Sequence, residues 1–451
     1  MESAGRLQEF CKFLTTSPSP YHAVQNMARK LEATNFTRLR ESVEWTLTPG
    51  SRYYVTRNNS SIVAFTLPNT QSNKESVPVM IVGAHCDSPC LKLKVKSARG
   101  VKEAFSQVAV ETYGGGLWHT WFDRDLGLAG RILYNTKGDV RVKEKLVDID
   151  RPVFRIPTLA IHLDRSVSSE GFKFNNELQL QPLFGTGISS EEGDELLPAA
   201  LKQQLVSGLK DSSEEVEILG HDLCLYDINP ACVGGLNGEF VLSGRLDNLF
   251  MSFCAIEGLI AAEHNDRAIC MTAIFDNEEV GSQSPPGADS NFIPSVLEQI
   301  SACLAKYGGP ACKGGLLVSA DMAHAAHPNY AEKHDSGHRP RINEGLVIKH
   351  HSGCRYATTS RVAAAIRAFC AEHGLAVQDF MVRNDSPCGS TIGPMLASRL
   401  GLPCIDVGMA QLSMHSIREM AGTLDLEQGV RFCQLLYSNT KEVFENLLIV
   451  D

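Results

Sequence analysis

The sequence predicts an α/β protein: a mixed sheet with helices on both faces and its site along the carboxyl edge, interrupted by a second, β-rich domain. Three observations predict it. Short apolar, β-branched runs alternate with helical patterns toward both ends of the chain. Polar residues gather where those runs stop, and the middle, from about Leu91 to Leu236, is dominated by strand patterns. In an open α/β sheet, ligands bind at the loops that leave the carboxyl ends of strands.

Taken in order, the chain opens on an amphipathic helix, because Leu7, Phe10, Cys11 and Leu14 have helical spacing. Glu2, Arg6, Glu9 and Lys12 interrupt any uninterrupted signal-peptide core there. PVMIVGAHCDSPC, from Pro78, reads as a buried strand that delivers His85 and Asp87 at its end. Residues 269–275 lead to Asp276 in the same way, 315–320 lead to Asp321, and 403–407 precede the loop to His415. Helical patterns cover 248–263, 291–306, 360–373 and 425–448. In the middle, 107–113, 131–134 and 153–161 read as strands. A helix at 197–209 lies between the acidic stretches 189–195 and 211–217, which read as solvent loops. Residues 1–91 and 237–451 are therefore expected to form one discontinuous domain, with 92–236 inserted into it.

Composition sets limits. With 43% hydrophobic and 21% charged residues over 451 positions, the chain is an ordinary globular one. A net charge of −10 argues against nucleic acid as partner, since phosphate binding needs clustered basic residues. No run approaches the ~20 apolar residues of a membrane span. Fourteen cysteines without a repeating spacing fit free thiols in a reducing compartment, so the expected location is cytoplasmic.

The polar residues at strand ends form a metal-ligand vocabulary: His85-Cys86-Asp87, Asp247, Glu278-Glu279, Asp321 and His415. Mixed imidazole and carboxylate ligands suit zinc or a similar divalent ion, and a carboxylate can bridge two ions. Two metals about 3.5–4 Å apart can share a water and make it nucleophilic. Such a site needs a general base that is not a ligand beside a residue that is, and Glu278-Glu279 offers that pair. In His85-x-Asp87 the aspartate is placed to fix the orientation of a metal-binding ring. Each piece alone is common; together, in strand-end contexts, they point to a two-metal hydrolase.

The chain resembles the aspartyl aminopeptidases, two-zinc metallopeptidases, over essentially its full length. The matching motifs include SPSPYHAV, GAHCDSPCLKLK, VETYGGGLWHTWFDRDL, RIPTLAIHL, RLDNL, FDNEEVGS, SADMAHAAHPNY, RNDSPCGSTIGP and MHSIREM. The resemblance implies a zinc-exopeptidase catalytic domain and two zinc ions per subunit. Asp247 would bridge them, with His85 and Asp321 completing one site and Glu279 and His415 the other. Glu278 would be the base for a water bridging the ions, and Asp87 would orient His85. Cys86 stands where the family pattern leads one to expect Thr; a packed, inert thiol is the expectation.

For substrate, the resemblance implies peptides with an N-terminal Asp or Glu, met by Lys349, with Tyr356, His324, Asp321 and Glu278 as further contacts. An acidic protein that takes an acidic substrate needs such a local cation. His162, in the insertion, would reach an active site across a dimer contact, making the insertion a dimerisation element and lid. The family builds dodecamers from dimers. Two other readings remain open: a two-metal deacylase or neutral-residue aminopeptidase, and a non-catalytic cargo or scaffold protein on the same fold. The last would be expected to lack a ligand or Glu278, and none is missing. Gly114-Gly115-Gly116 lacks the Lys-Ser/Thr of a phosphate loop and reads as a turn.

Overall fold

The apolar runs at both ends of the chain pair into one mixed sheet. In the computed structural model, which describes residues 2–69, 76–187, 196–207, 216–263, 267–306 and 311–447, its strands follow one another in a fixed order. They are Thr37–Leu39, Arg52–Arg57, Ser61–Thr66, Ile269–Phe275, Ser76–His85, Ala311–Ala320, Cys404–Gly408, Leu346–His350 and Val377–Met381. Ile269–Phe275, Ser76–His85, Ala311–Ala320 and Cys404–Gly408 are successively parallel, whereas Leu346–His350 runs antiparallel to Cys404–Gly408.

Alternation along the strands builds a core on each face. Met80, Val82 and Ala84 pack into one cluster with the helices Pro20–Ala33, Leu246–Ala261, Ser360–Glu372 and Thr423–Ser438. Val77, Val79 and Ile81 pack into the other, against Phe292–Lys306 and Ile392–Leu400. The helix expected over 425–448 is two, Thr423–Ser438 and Thr440–Leu447, with Asn439 between them; residue 448 lies outside the described residues.

By its internal contacts the chain divides into two units. Residues 1–87, 231–414 and 419–451 form the first, and 88–230 with 415–418 the second. The junction expected at 91/92 falls inside the strand Cys90–Lys102, whose Leu91 and Leu93 are already part of the second unit's core. That unit is an antiparallel sheet in the order Lys143–Phe154, Leu126–Thr136, Val216–Asp227, Cys90–Lys102, Phe105–Tyr113, Leu183–Thr186.

Two expectations in this region need correction. The strand expected to run to 161 stops at Phe154; Pro157 has no N–H to give a ladder, and residues 161–163 form a turn. Glu217, expected in a loop, lies in the strand Val216–Asp227. The helix expected at 197–209 is Ala199–Val206. Residues 189–195 and 211–215 lie outside the described ones. Among the described residues no helix is long and apolar enough to cross a membrane, and none of the cysteines forms a disulfide.

A third sheet, not anticipated from the sequence, lies in the first unit: Cys232–Gly234, Phe240–Ser243, Glu419–Gly422, Ala410–Leu412 and Ala323–His324. Strands of two to four residues are too short to show a periodicity. This sheet frames the site, because Phe240–Ser243 leads to Asp247 and Ala323–His324 follows Asp321.

Candidate metal centre

Three adjacent parallel strands bring their carboxyl ends side by side. Phe275 is in register with His85, and Ser319 with Gly83. His85 ends the middle strand, the Asp276–Glu279 run leaves one neighbour, and Asp321 leaves the other. Asp247 comes from elsewhere, at the start of the helix Leu246–Ala261, where Asp247 and Asn248 have non-helical backbone angles. Arg245, before them, takes the left-handed conformation and donates to the carbonyls of Ser17 and Leu14 at 3.1 and 3.0 Å. The N-terminal segment thereby anchors the approach to Asp247.

The ligand atoms of His85, Asp247 and Asp321 lie within 4.8 Å of one another. His85 Nε2 is 3.3 Å from Asp247 Oδ1 and 3.6 Å from Asp321 Oδ1. Ligands held at about 2.0–2.1 Å around a tetrahedral zinc ion are separated by about 3.3 Å, so the trio fits that ion. Beyond His85, Asp321 Oδ1 is buried without a hydrogen-bond partner, as expected of an oxygen shaped to face a cation. His85 Nδ1 lies 3.0 Å from the Asp87 carbonyl oxygen, which can only accept, so the proton sits there and Nε2 keeps its lone pair for a metal. Burial works against a charged His85, but Asp247, Asp321 and Asp87 outweigh it and hold its pKa well above the usual histidine range, so that without a metal Nε2 takes a proton whose place a cation would fill. The site is built for positive charge.

Asp87 acts differently from its expected part. Its carboxylate lies 3.4 Å from His85 Nδ1, farther than its own carbonyl. The carboxylate instead accepts the main-chain N–H groups of Glu278 and Glu279, each at 3.1 Å. One buried residue thus orients the histidine with its backbone and the glutamate pair with its side chain. Asp276 and Asn277 shape the turn between. Asp276 Oδ1 accepts from Asn277 N, and Asn277, at φ 64°, reverses the chain into the short helical turn Glu278–Val280. Burial pushes the Glu278 carboxyl up to about 8; His85 opposes that rise, while Asp321, Glu279 and Asp87 add to it. Glu278, Glu279 and His85 also offer ligand atoms close together.

Further groups brace this constellation without being evident in the sequence. Glu419 accepts the Asp247 N–H at 3.0 Å, Asn248 donates to the Ala320 carbonyl at 2.8 Å, and Ser252 donates to the His85 carbonyl at 2.7 Å. Glu419 and Asn248 sit inside MHSIREM and RLDNL, so the motifs carried them unnoticed. Cys86 is buried and lies 3.2 Å from the Ser60 carbonyl; burial holds its thiol well above the usual range, which keeps it unreactive.

Lys349 is 2% exposed. Its Nζ is 3.2 Å from Asp321 Oδ2, 2.8 Å from the Met322 carbonyl and 5.4 Å above the Tyr356 ring. Tyr356 is buried, and His324 is exposed with its ring edge-to-face on Phe380. His415 and His162 belong to the second unit. There His415, at φ 66°, places Nδ1 2.9 Å from the Gly115 carbonyl, so the triple glycine supplies a histidine acceptor as well as a bend. His162 is exposed in the turn that replaces the expected strand end.

Known proteins resemble this chain throughout. The family model described as "Aminopeptidase I zinc metalloprotease (M18)" matches residues 13–437. The aspartyl aminopeptidase of Aspergillus oryzae is 42% identical, covering 96% of both chains. The probable aspartyl aminopeptidase of Ricinus communis is 40% identical over 98% of this chain and 96% of its own. Among solved structures, a chain in the cryo-EM structure of the Ape4 and Nbr1 complex matches with TM-score 0.92 and 40% identity, over 100% of this chain and 88% of that one. The S. cerevisiae mApe1 dodecamer matches with TM-score 0.82 and 29% identity, over 98% and 99%. The chain belongs to the M18 family of zinc metalloproteases, the aminopeptidase I family.

Proposed function

We propose that this aminopeptidase hydrolyses the N-terminal peptide bond of peptides whose first residue is aspartate or glutamate, with Glu278 as general base. The observation that carries the reading is Lys349, a buried amine at 3.2 Å from Asp321 in a site otherwise lined by carboxylates. An acidic side chain entering there meets a desolvated cation, while the surrounding carboxylates suit the substrate's α-amine. The relatives named aspartyl aminopeptidases support the same choice. Tyr356 and His324 are proposed as further substrate contacts.

His85, Asp247 and Asp321 would hold one zinc ion. A second, with Asp247 shared and Glu279 and His415 added, rests on the sequence motifs that carry those residues. Bound zinc supplies a polarised scissile carbonyl and a water more acidic than bulk water. The protein's own groups do the rest. Glu278 takes a proton from the attacking water and returns it to the departing amine, and Asp87 fixes the backbone that carries it.

Self-association through the insertion, as dimers that build a dodecamer, is part of this proposal, with His162 stabilising the tetrahedral intermediate in a neighbouring copy. Leu159, Ile161 and Leu163 flank His162 and are 61%, 49% and 75% exposed, an apolar surface that association would cover. The S. cerevisiae dodecamer supports it by likeness. A cytoplasmic location is in keeping with the free cysteines.

The test is an assay of the purified protein against peptides beginning with Asp, Glu, Leu or Ala, with and without chelator. Cleavage of the Asp and Glu peptides should be lost on chelation and restored by zinc. Equal or faster cleavage of the Leu or Ala peptides would overturn the acidic preference.

A further inference from the structure

A cavity of about 260 Å³ opens in the first unit, its wall including His324, His327, Lys333, Arg383, Gln411 and Ser413. Neither Lys349, Tyr356 nor any residue of the metal set is in its wall, whereas His324, proposed above as a substrate contact, is. The cavity is tied to the metal centre by the backbone: His324 lies three residues beyond Asp321 and is in register with Gln411 on the neighbouring strand. We infer that this cavity receives the departing part of the peptide and favours one that carries a carboxylate, on a side chain or at its chain end. The inference rests on the aminopeptidase reading, though not on the acidic first residue.

Two independent features of the wall support it. The first is charge. Lys333 makes no ion pair among the described residues, and Arg383 presents its guanidinium while Asp385 holds its edge at 2.8 and 2.6 Å. Asp335 is the one carboxylate in the described wall. His338 and the Gly337 N–H already engage its Oδ1, at 2.6 and 3.0 Å. His334 accepts the His327 N–H through Nε2, so that nitrogen carries no proton.

The second feature is Gln411, which is 1% exposed and has neither its amide oxygen nor its amide nitrogen hydrogen-bonded within the protein. A buried amide left unpaired is costly, and folded proteins hold few of them. A peptide group brought against them could satisfy both atoms; a carboxylate, which only accepts, could satisfy the nitrogen alone. Lys333 and Arg383 then supply the charge, and Gln411 supplies the desolvated donor and acceptor.

Three peptides separate the sources of the carboxylate: Asp-Ala-Ala amide, with a neutral leaving part; Asp-Glu-Ala amide, with a side-chain carboxylate; and Asp-Ala-Ala acid, with a chain-end carboxylate. Each is assayed with the full-length enzyme and with Lys333→Glu, a change at an exposed position. The wild type should cleave at least one anionic peptide with a kcat/KM about fivefold above the neutral one, the size of a partly exposed ion pair. In Lys333→Glu that ratio should fall to one or below. Loss of the Glu-peptide advantage alone assigns the cavity to a side chain, and loss of the acid-peptide advantage alone to the chain end. Gln411→Leu should raise KM for the anionic peptides. The same ratio in wild type and Lys333→Glu would overturn the inference. The series repeated with Leu as first residue reports the same ratio if the acidic preference fails, so the two failures are distinguishable.

Discussion

The metal centre and the surroundings of Lys349 share Asp321, yet they are assembled in opposite ways. In the metal centre, two short motifs meet at the ends of adjacent parallel strands: Asp87, two residues from His85, holds the histidine with its carbonyl and the Glu278-Glu279 main chain, 191 residues further on, with its carboxylate. Lys349 lies on a strand that runs against its neighbour. Ile348 is in register with Val407, which sets Lys349 level with Asp406 and below the carboxyl edge. Its contacts come from separate segments, Asp321-Met322 and Tyr356. Reaction chemistry here is specified locally, in short motifs. The proposed selectivity depends on how distant strands are placed, and it rests on a single lysine.

The largest expected effect lies on the local side. Glu278→Gln keeps the side-chain shape and the main-chain N–H that Asp87 accepts, and removes only the ability to take a proton. Turnover should fall by about 10²–10⁴-fold, with zinc content, measured by elemental analysis, unchanged. Retained activity would remove Glu278 as the base. A lost metal would instead make it a ligand, an assignment open to it because its Oε2 lies 3.9 Å from His85 Nε2.

Asp87→Ala tests whether the local support is real. It leaves the position's carbonyl for His85 but deprives the Glu278 and Glu279 N–H groups of their buried acceptor. A loss of about 10–100-fold in zinc affinity or activity is expected, read by titration with a competing chelator. Asp87→Asn, which keeps one accepting oxygen, should fall between. If Asp87→Ala bound zinc and turned over substrate like the wild type, the carboxylate would be ornamental and the contrast with Lys349 would lose its basis.

The same contrast explains what the sequence discloses. His85, Asp247, Glu279 and Asp321 are legible because each sits where an apolar run or a helix begins or ends, and because ligand chemistry admits few residue types. The two-faced core follows from strand alternation and helical spacing. Glu419 is not legible as the brace of Asp247, because 172 residues separate them and a lone glutamate after an arginine carries no pattern. The third sheet escapes for a related reason: its strands are too short to show a period, and only tertiary pairing defines them. The strand expected through 161 stops at Phe154, and beyond it Pro157, without an N–H, cannot resume the ladder that the apolar content suggested. Lys349 is legible as a lysine near a strand end, but its burial is set by an antiparallel neighbour that the sequence does not announce.

The smallest effect concerns that lysine, and it is the one that separates selection from support. Lys349→Met keeps the length of the stem and removes the charge, so an acidic first residue loses a desolvated partner while a leucine loses nothing comparable. The ratio of kcat/KM for Asp over Leu peptides should drop by about tenfold or somewhat more, the value of a hydrogen bond to a charged group. Lys349 also donates to Asp321 and Met322, so the substitution can loosen the metal centre and lower turnover of every substrate. The assay must therefore be run at saturating zinc, with zinc affinity measured alongside. A uniform loss with the Asp-to-Leu ratio intact would make Lys349 a brace for Asp321 and return selectivity to the remainder of the pocket. A changed ratio with zinc affinity intact would make it the selector. Only the second outcome keeps the division between a locally written reaction and a tertiary choice of substrate.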